Sequence, residues 1–199
     1  MLVYVEDKGV TMPDIVDLLR SRRSVRAYED RPVAPELLRR LLVAAMAAPS
    51  ASNSQPWEFV VITRPAILER LRSKLLFARY NAPAAIAVCA NLRIAHNSAA
   101  RHYWVQDCSA ATQNILIAAA GLGLGSVWIG VYPLPSVMAP VRQVLALPED
   151  VTPLSLVYVG HPTEHEPPNG HDRYEERRVY WEQYEPRKRR ARKKNAKHE

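Results

Sequence analysis

Cysteine is scarce in this chain. Only Cys89 and Cys108 occur, each in an apolar neighbourhood. That pattern suits reduced, buried thiols in a cytosolic protein rather than a disulfide framework. Long apolar runs are missing as well. A bilayer-spanning helix needs about 20 apolar residues, and no run approaches that length. The opening residues, MLVYVEDKGV, carry acids and lack a basic start, a long apolar centre and a small-residue cleavage site. A secretory signal is therefore not expected, and a cytoplasmic location is.

Several chemistries lose their support in the same way. There is no G-x-S-x-G elbow for a nucleophilic serine. Cys108 has no histidine at a telling position, so a thiol nucleophile is not expected. His161, His165 and His171 share one loop but bring neither cysteine nor a firm i, i+4 helical pair, and no metal site is assigned to them. The string GLGLGS places Gly121, Gly123 and Gly125 in alternation, after a predicted helix and before a predicted strand. A dinucleotide fingerprint needs G-x-G-x-x-G in the inverse order, so these glycines read as a helix stop and a tight turn.

What is present begins with charge. The net charge of +7 belongs to the C-terminal end, RKRRARKKNAKHE, which holds eight basic residues and one acid. Without it the body has equal numbers of basic and acidic residues. Such a self-repelling run is expected to be a disordered tail, and nothing in the body offers a nucleic-acid face. The expected organisation is an N-terminal extension over 1–12, one domain over 13–185 and the tail over 186–199. The 199 residues suffice for a single real core.

Periodicity and breakers predict the elements. A helix capped by Thr11 begins near Pro13 and buries Ile15, Leu18 and Leu19. A second starts at Pro35 and carries Leu37, Leu38, Leu41, Leu42 and Ala45 on one side until Pro49. Further helices are expected over 65–77, 104–120, 136–146 and 175–184. Residues 58–63, 84–90, 126–132 and 154–160 read as strands, and 91–103 as a mobile excursion. Four strands with about six helices predict one sheet covered by helices on both faces, in the α/β or α+β class.

Two polar clusters remain. In RRSVRAYEDRP, residues 22–32, Arg22, Arg23 and Arg26 surround Ser24 before any acid appears. Guanidinium forks match phosphate oxygens, and the serine adds a hydroxyl donor. Surface ion pairs with Glu29 and Asp30 would also account for them. The second cluster, PSASNSQPW, offers Ser50, Asn53 and Gln55 beside Pro56 and Trp57. It could hydrogen-bond a planar heterocycle or simply connect a helix to a strand.

Taken together, LLRSRRSVRAYEDRPV, AAMAAPSASNSQPWEFVVI, DCSAATQNILIAAAGLGLGSVWIGVYP and HDRYEERRVYWEQY resemble the nitroreductase family of FMN-dependent oxidoreductases, from about residue 13 to residue 184. The resemblance implies an α+β sandwich, with a mostly antiparallel central sheet flanked by helices, assembled as an intertwined homodimer with FMN at the subunit interface. It implies that Arg22 and Ser24 hold the phosphate and ribityl chain, with Arg23 in the same stretch, and that Arg26 stands near flavin N1 and O2. Pro49, Ser50, Asn53 and, more weakly, Gln55 would reach the flavin from the other subunit. Gly130, Val131 and Tyr132 would pass the pyrimidine edge, and Arg173 would return to the phosphate. Arg79 and Asn81 lie near a further family position without a clean match.

The implied activity is oxidoreduction. NADH or NADPH would reduce the bound flavin, and a small organic acceptor such as a nitroaromatic or quinone would reoxidise it in a ping-pong cycle. Arg26 would be the catalytic charge. The alternatives are a flavin-fragmenting enzyme of the 5,6-dimethylbenzimidazole synthase kind, in which an aspartate tends to stand where this chain has Ser24; an iodotyrosine-dehalogenating enzyme, whose acidic-aromatic-lysine lid residues 91–106 do not reproduce; and a flavin-binding interaction protein without turnover. The acceptor would be chosen by residues 91–106 together with loops of the neighbouring subunit.

Overall fold

Helix α1 (Ile15–Ser21) begins where the carboxylate of Asp14 accepts the backbone N–H of Val16 at 3.2 Å. An N-terminal cap of this kind satisfies one of the helix's orphan donors. The computed structural model describes residues 14–163 and 173–184. Thr11 and Pro13, the N-terminal extension, His165, His171 and the basic tail therefore lie outside the described residues.

Proline opens three further helices, where its fixed φ and missing N–H cost nothing. These are α2 (Pro35–Met46), α3 (Pro65–Lys74) and α5 (Pro135–Leu145). The long helix α4 spans Ala100–Gly121, starting one turn earlier than its apolar pattern indicates. It ends as expected at the glycine string, where Gly123 takes a φ of +70°.

The strands β1 (Trp57–Ile62), β2 (Ala84–Asn91), β3 (Gly125–Gly130) and β4 (Val151–Gly160) form one sheet in the order β1-β2-β4-β3. Every pair is antiparallel. All four predicted strands are present, and β4 starts three residues earlier than expected.

Side-chain alternation splits the core into two layers. On β2, Ala85, Ala87 and Cys89 face α3 and α5, while Ala84, Ile86, Val88 and Ala90 face α2 and α4. A strand buried on both faces reads as a continuous apolar run, which AAIAVCA is.

Two expectations fail. Helix α1 has no buried residue, and Ile15 and Leu19 are exposed. Its apolar face has the right period but meets too little of its own chain. The helix expected over 175–184 is a single 3-10 turn, Glu176–Arg178, flanked by extended residues. Its apolar members Trp181 and Tyr184 are exposed, so no packing stabilises further turns.

Candidate active site

The arginine segment is fastened to the β3 edge of the sheet. Ser24 bridges Ser126 in parallel, and the Val25 N–H donates to the Ser126 carbonyl at 2.9 Å. Beyond it, the Glu29 N–H donates to the His161 carbonyl at 2.8 Å, and Tyr28 bridges Pro162. Close approach makes this docking possible. A Cβ on Gly125 would lie 2.7 Å from the Val25 side chain, and one on Gly160 would lie 2.7 Å from the Tyr28 ring.

Tyr28 is the anchor. Its buried hydroxyl donates to the Val25 carbonyl at 2.6 Å. Burial, ahead of any neighbouring charge, pushes its ionisation above the usual tyrosine range, so it remains a donor. Asn81 holds the same residue by its backbone, accepting from the N–H at 3.0 Å and donating to the carbonyl at 2.7 Å. The ambiguous Asn81 of the sequence is thus a clamp on the arginine segment.

Between these anchors opens a cleft of about 320 Å³, lined by Arg23, Ser24, Val25, Arg26, Ala27, Pro162 and Thr163. Three of the sequence-predicted residues, Arg23, Ser24 and Arg26, meet there, and the Arg26 Nη1 also donates to the Ser24 carbonyl at 3.3 Å. Arg22, the helix α1 C-cap, stands just before them. Arg173 is exposed at the start of the second described segment and is not among the residues lining the cleft.

The loop 49–55 is a rigid piece. Ser52, Asn53 and Gln55 hold φ values of 49°, 55° and 45°. A left-handed non-glycine backbone costs about 1–3 kcal/mol per residue and persists only where its surroundings over-determine it. The surroundings do so here. Ser50 Oγ accepts from the Gln55 N–H at 3.1 Å, and Gln55 Nε2 donates to Asn53 Oδ1 at 2.7 Å. Buried Asp107 of α4 takes the Ala51 N–H and the Ser54 hydroxyl, each at 3.0 Å. The His96 N–H and Asn97 Nδ2 donate to the carbonyls of Ser54 and Ser52. Sequence reasoning missed Asp107, although it is the one acid in α4, set among mostly apolar residues.

Gly130 leaves β3 with nothing within 4 Å of a Cβ, so the strand exit borders open space. Val131 is buried, and only its backbone could face a ligand. Tyr132 is partly exposed and meets Trp104 edge-on, with centroids 4.7 Å apart.

One chain does not bring its two polar clusters together. The loop runs into Trp57, which pairs through Ala90 with the Thr152 end of β4. Ser24 sits beside Ser126, which pairs with Val159 at the other end. The clusters occupy diagonal corners of the four-stranded sheet: β1 and β3 are three strand spacings or about 14 Å apart, and Ser24 lies one spacing beyond β3. Among the described residues, no cluster of three His, Cys, Asp or Glu side chains could hold a metal, and no helix is long and apolar enough to cross a membrane.

An antiparallel sheet between helical layers, with a basic segment stitched along one edge, defines an α+β protein of the nitroreductase fold. The description "Nitroreductase family" matches residues 19–78 and 73–161, and the chain belongs to that family. An Archaeoglobus fulgidus protein provisionally named NADH dehydrogenase/NAD(P)H nitroreductase is 43% identical over 155 residues, covering 77% of this chain and 88% of its own. The crystal structure of a Parabacteroides distasonis protein with the same provisional name superposes with a TM-score of 0.79 at 36% identity, covering 87% of this chain and 100% of its own. An FMN-dependent nitroreductase from Clostridium difficile reaches 0.73 at 28% identity, covering 85% of this chain and 99% of its own.

Proposed function

We propose that this protein is an NAD(P)H-dependent flavin oxidoreductase that binds FMN and passes electrons to a small organic acceptor such as a nitroaromatic or a quinone. The observation that carries the reading is the cleft beside the β3 edge lined by Arg23, Ser24 and Arg26, where the Arg26 guanidinium also donates to the Ser24 carbonyl at 3.3 Å. Its donor chemistry fits the group: guanidinium and hydroxyl suit a phosphate and an electron-rich ring edge, and open space at Gly130 admits a planar ligand.

FMN, when bound, would accept hydride from NADH or NADPH and deliver electrons to the acceptor in alternating half-reactions. The protein's own residues bind and orient. Arg22 and Ser24 would hold the phosphate and ribityl chain, with Arg23 in the same stretch, and Arg173 would supply a further cation to the phosphate. Arg26 would supply a fixed positive charge to the N1–O2 edge of the ring, where reduction adds negative charge. Gly130, Val131 and Tyr132 border the pyrimidine edge.

The diagonal placement of the two clusters supports a homodimer in which Pro49, Ser50, Asn53 and Gln55 of one copy serve the other copy's cofactor. The exposed apolar face of α1 supports it too. A groove of about 400 Å³ beside that face is lined by Leu18, Val43, Ala44, Ile117 and Ala118. A second copy would cover it and bury Ile15 and Leu19.

The decisive measurement is the visible spectrum of the purified protein, before and after each nicotinamide is added under anaerobic conditions. We expect a bound-flavin spectrum that bleaches with NADH or NADPH and returns with a quinone or nitro compound. Purified protein that neither retains nor takes up FMN would overturn the proposal. Bleaching without reoxidation by any acceptor would leave a flavin-binding protein and not an enzyme.

A further inference from the structure

We propose that Asp107 is a positioning residue for the flavin site, acting through the loop 49–55. The inference rests on the reading above, in which that loop faces the cofactor.

Asp107 projects from the first half of α4 and is 5% exposed. Its two carboxylate oxygens are divided between two points of the loop. Oδ1 takes the Ala51 N–H, and Oδ2 takes the hydroxyl of Ser54, which is fully buried. These contacts bracket Ser52 and Asn53, two of the three left-handed residues, and Gln55 follows immediately. The bracketed backbone would otherwise relax toward ordinary φ values. Asp107 hydrogen-bonds neither Asn53 nor Gln55. It determines where their amides stand by holding the chain on either side of them.

Among the described residues the partners of the Asp107 carboxylate are these two loop donors, so its hydrogen bonds are spent on the loop. An asparagine could in principle make the same two contacts, because the Ser54 hydroxyl can accept as well as donate. The carboxylate is instead an acceptor at both oxygens. The same loop receives the Asn97 side chain on the Ser52 carbonyl at 2.7 Å. Helix α4 and the segment before it thus hold the loop from two sides.

The test uses full-length, FMN-loaded protein carrying Asp107→Ala, Asp107→Asn, Ser54→Ala and, as a control on the underlying reading, Asn53→Ala. Readouts are the FMN dissociation constant, the visible circular dichroism of the bound flavin, kcat and KM for NAD(P)H, and the melting temperature. With Asp107→Ala we expect FMN binding about tenfold weaker, from two lost hydrogen bonds and a relaxed loop, and an altered flavin dichroism. Ser54→Ala keeps the Ala51 contact and should shift the dichroism in the same direction by a smaller amount, without loss of fold. Asp107→Asn, which can keep both contacts, should restore the dichroism and most of the affinity.

If Asn53→Ala changes the flavin dichroism while Ser54→Ala and both Asp107 variants leave it at wild type, Asp107 positions nothing and the inference fails alone. If Asn53→Ala also leaves the flavin unchanged, the loop does not face the cofactor and the underlying reading fails with it. If Asp107→Asn is as impaired as Asp107→Ala, the charge and not the hydrogen-bond geometry matters, and positioning is overturned.

Discussion

Asn81 reads both polar groups of the Tyr28 backbone, accepting the N–H at 3.0 Å and donating to the carbonyl at 2.7 Å. Tyr28 bridges Pro162 through its neighbours, and its own N–H and carbonyl are paired by the Asn81 side chain, which here does the work of a strand. Replacing Asn81 by alanine leaves both backbone groups unpaired and should destabilise the fold by about 1–3 kcal/mol. Asn81→Asp keeps the acceptor, loses the donor and should fall between the two. Urea unfolding midpoints measure the order, and FMN affinity should fall with it as the arginine segment loosens. Midpoints equal to wild type in both variants would show the clamp to be incidental.

Gly125 lies directly under Val25. An added Cβ would stand 2.7 Å from Val25 Cγ1, closer than real contacts allow. Gly125→Ala should therefore push the arginine segment off the β3 edge, at about 1–3 kcal/mol of overpacking strain. Trimming the obstacle with Val25→Ala in the same chain should recover much of that loss. Thermal unfolding of the two single variants and the double variant tests the pairing. Strict additivity would mean that the two sites do not share the strain.

Arg26 faces the same cleft as Ser24, and its charge should favour a reduced, anionic cofactor over the oxidised form. For a two-electron couple about 30 mV corresponds to about 1.4 kcal/mol. Arg26→Ala should lower the flavin potential by some tens of millivolts on that scale, and NAD(P)H should reduce it more slowly. Arg26→Lys should recover part of the rate, because the charge persists without the fork. By contrast, Arg22→Ala and Arg173→Ala should weaken FMN binding by roughly tenfold to a hundredfold each, as lost charge-assisted contacts do. A redox titration, stopped-flow reduction and flavin retention separate these roles. A wild-type potential and rate in Arg26→Ala would place Arg26 away from the N1–O2 edge.

The two thiols should be inert in the folded protein. Burial pushes both Cys89 and Cys108 up to about 12 from 9.0. Neutral thiols are thereby favoured in the native state, and the unfolded chain loses those protons first. The associated stability is fully present below pH 9 and is lost as pH rises from 9 toward 12, by up to about 1.4 kcal/mol per pH unit for each thiol. Thiol reagents at neutral pH should label neither residue until denaturant is added. Cys89→Ala with Cys108→Ala should flatten the alkaline fall of the melting temperature relative to wild type. Rapid native labelling would contradict the burial.

What the sequence by itself determined was local. Prolines at 35, 65 and 135 and the glycines after residue 120 mark helix ends, because they act through the φ of their own residue. Apolar runs mark the strands, most clearly β2 and β4, since a strand covered on both faces cannot alternate. The motif pair RRSVR and PSASNSQPW was legible as a resemblance, and the family match over 19–161 agrees with it. The tertiary structure decided everything that depends on who meets whom. Asn81 had no clean match in the sequence because its partner Tyr28 is 53 positions away. Asp107 went unnoticed because Ala51 and Ser54 lie more than fifty residues before it. Helix α1 has an amphipathic period, yet period alone does not supply the surface that covers it, and Ile15 remains exposed. The diagonal separation of the arginines from the serine-rich loop is likewise invisible in the sequence. It follows from strand order β1-β2-β4-β3, which long-range pairing alone selects.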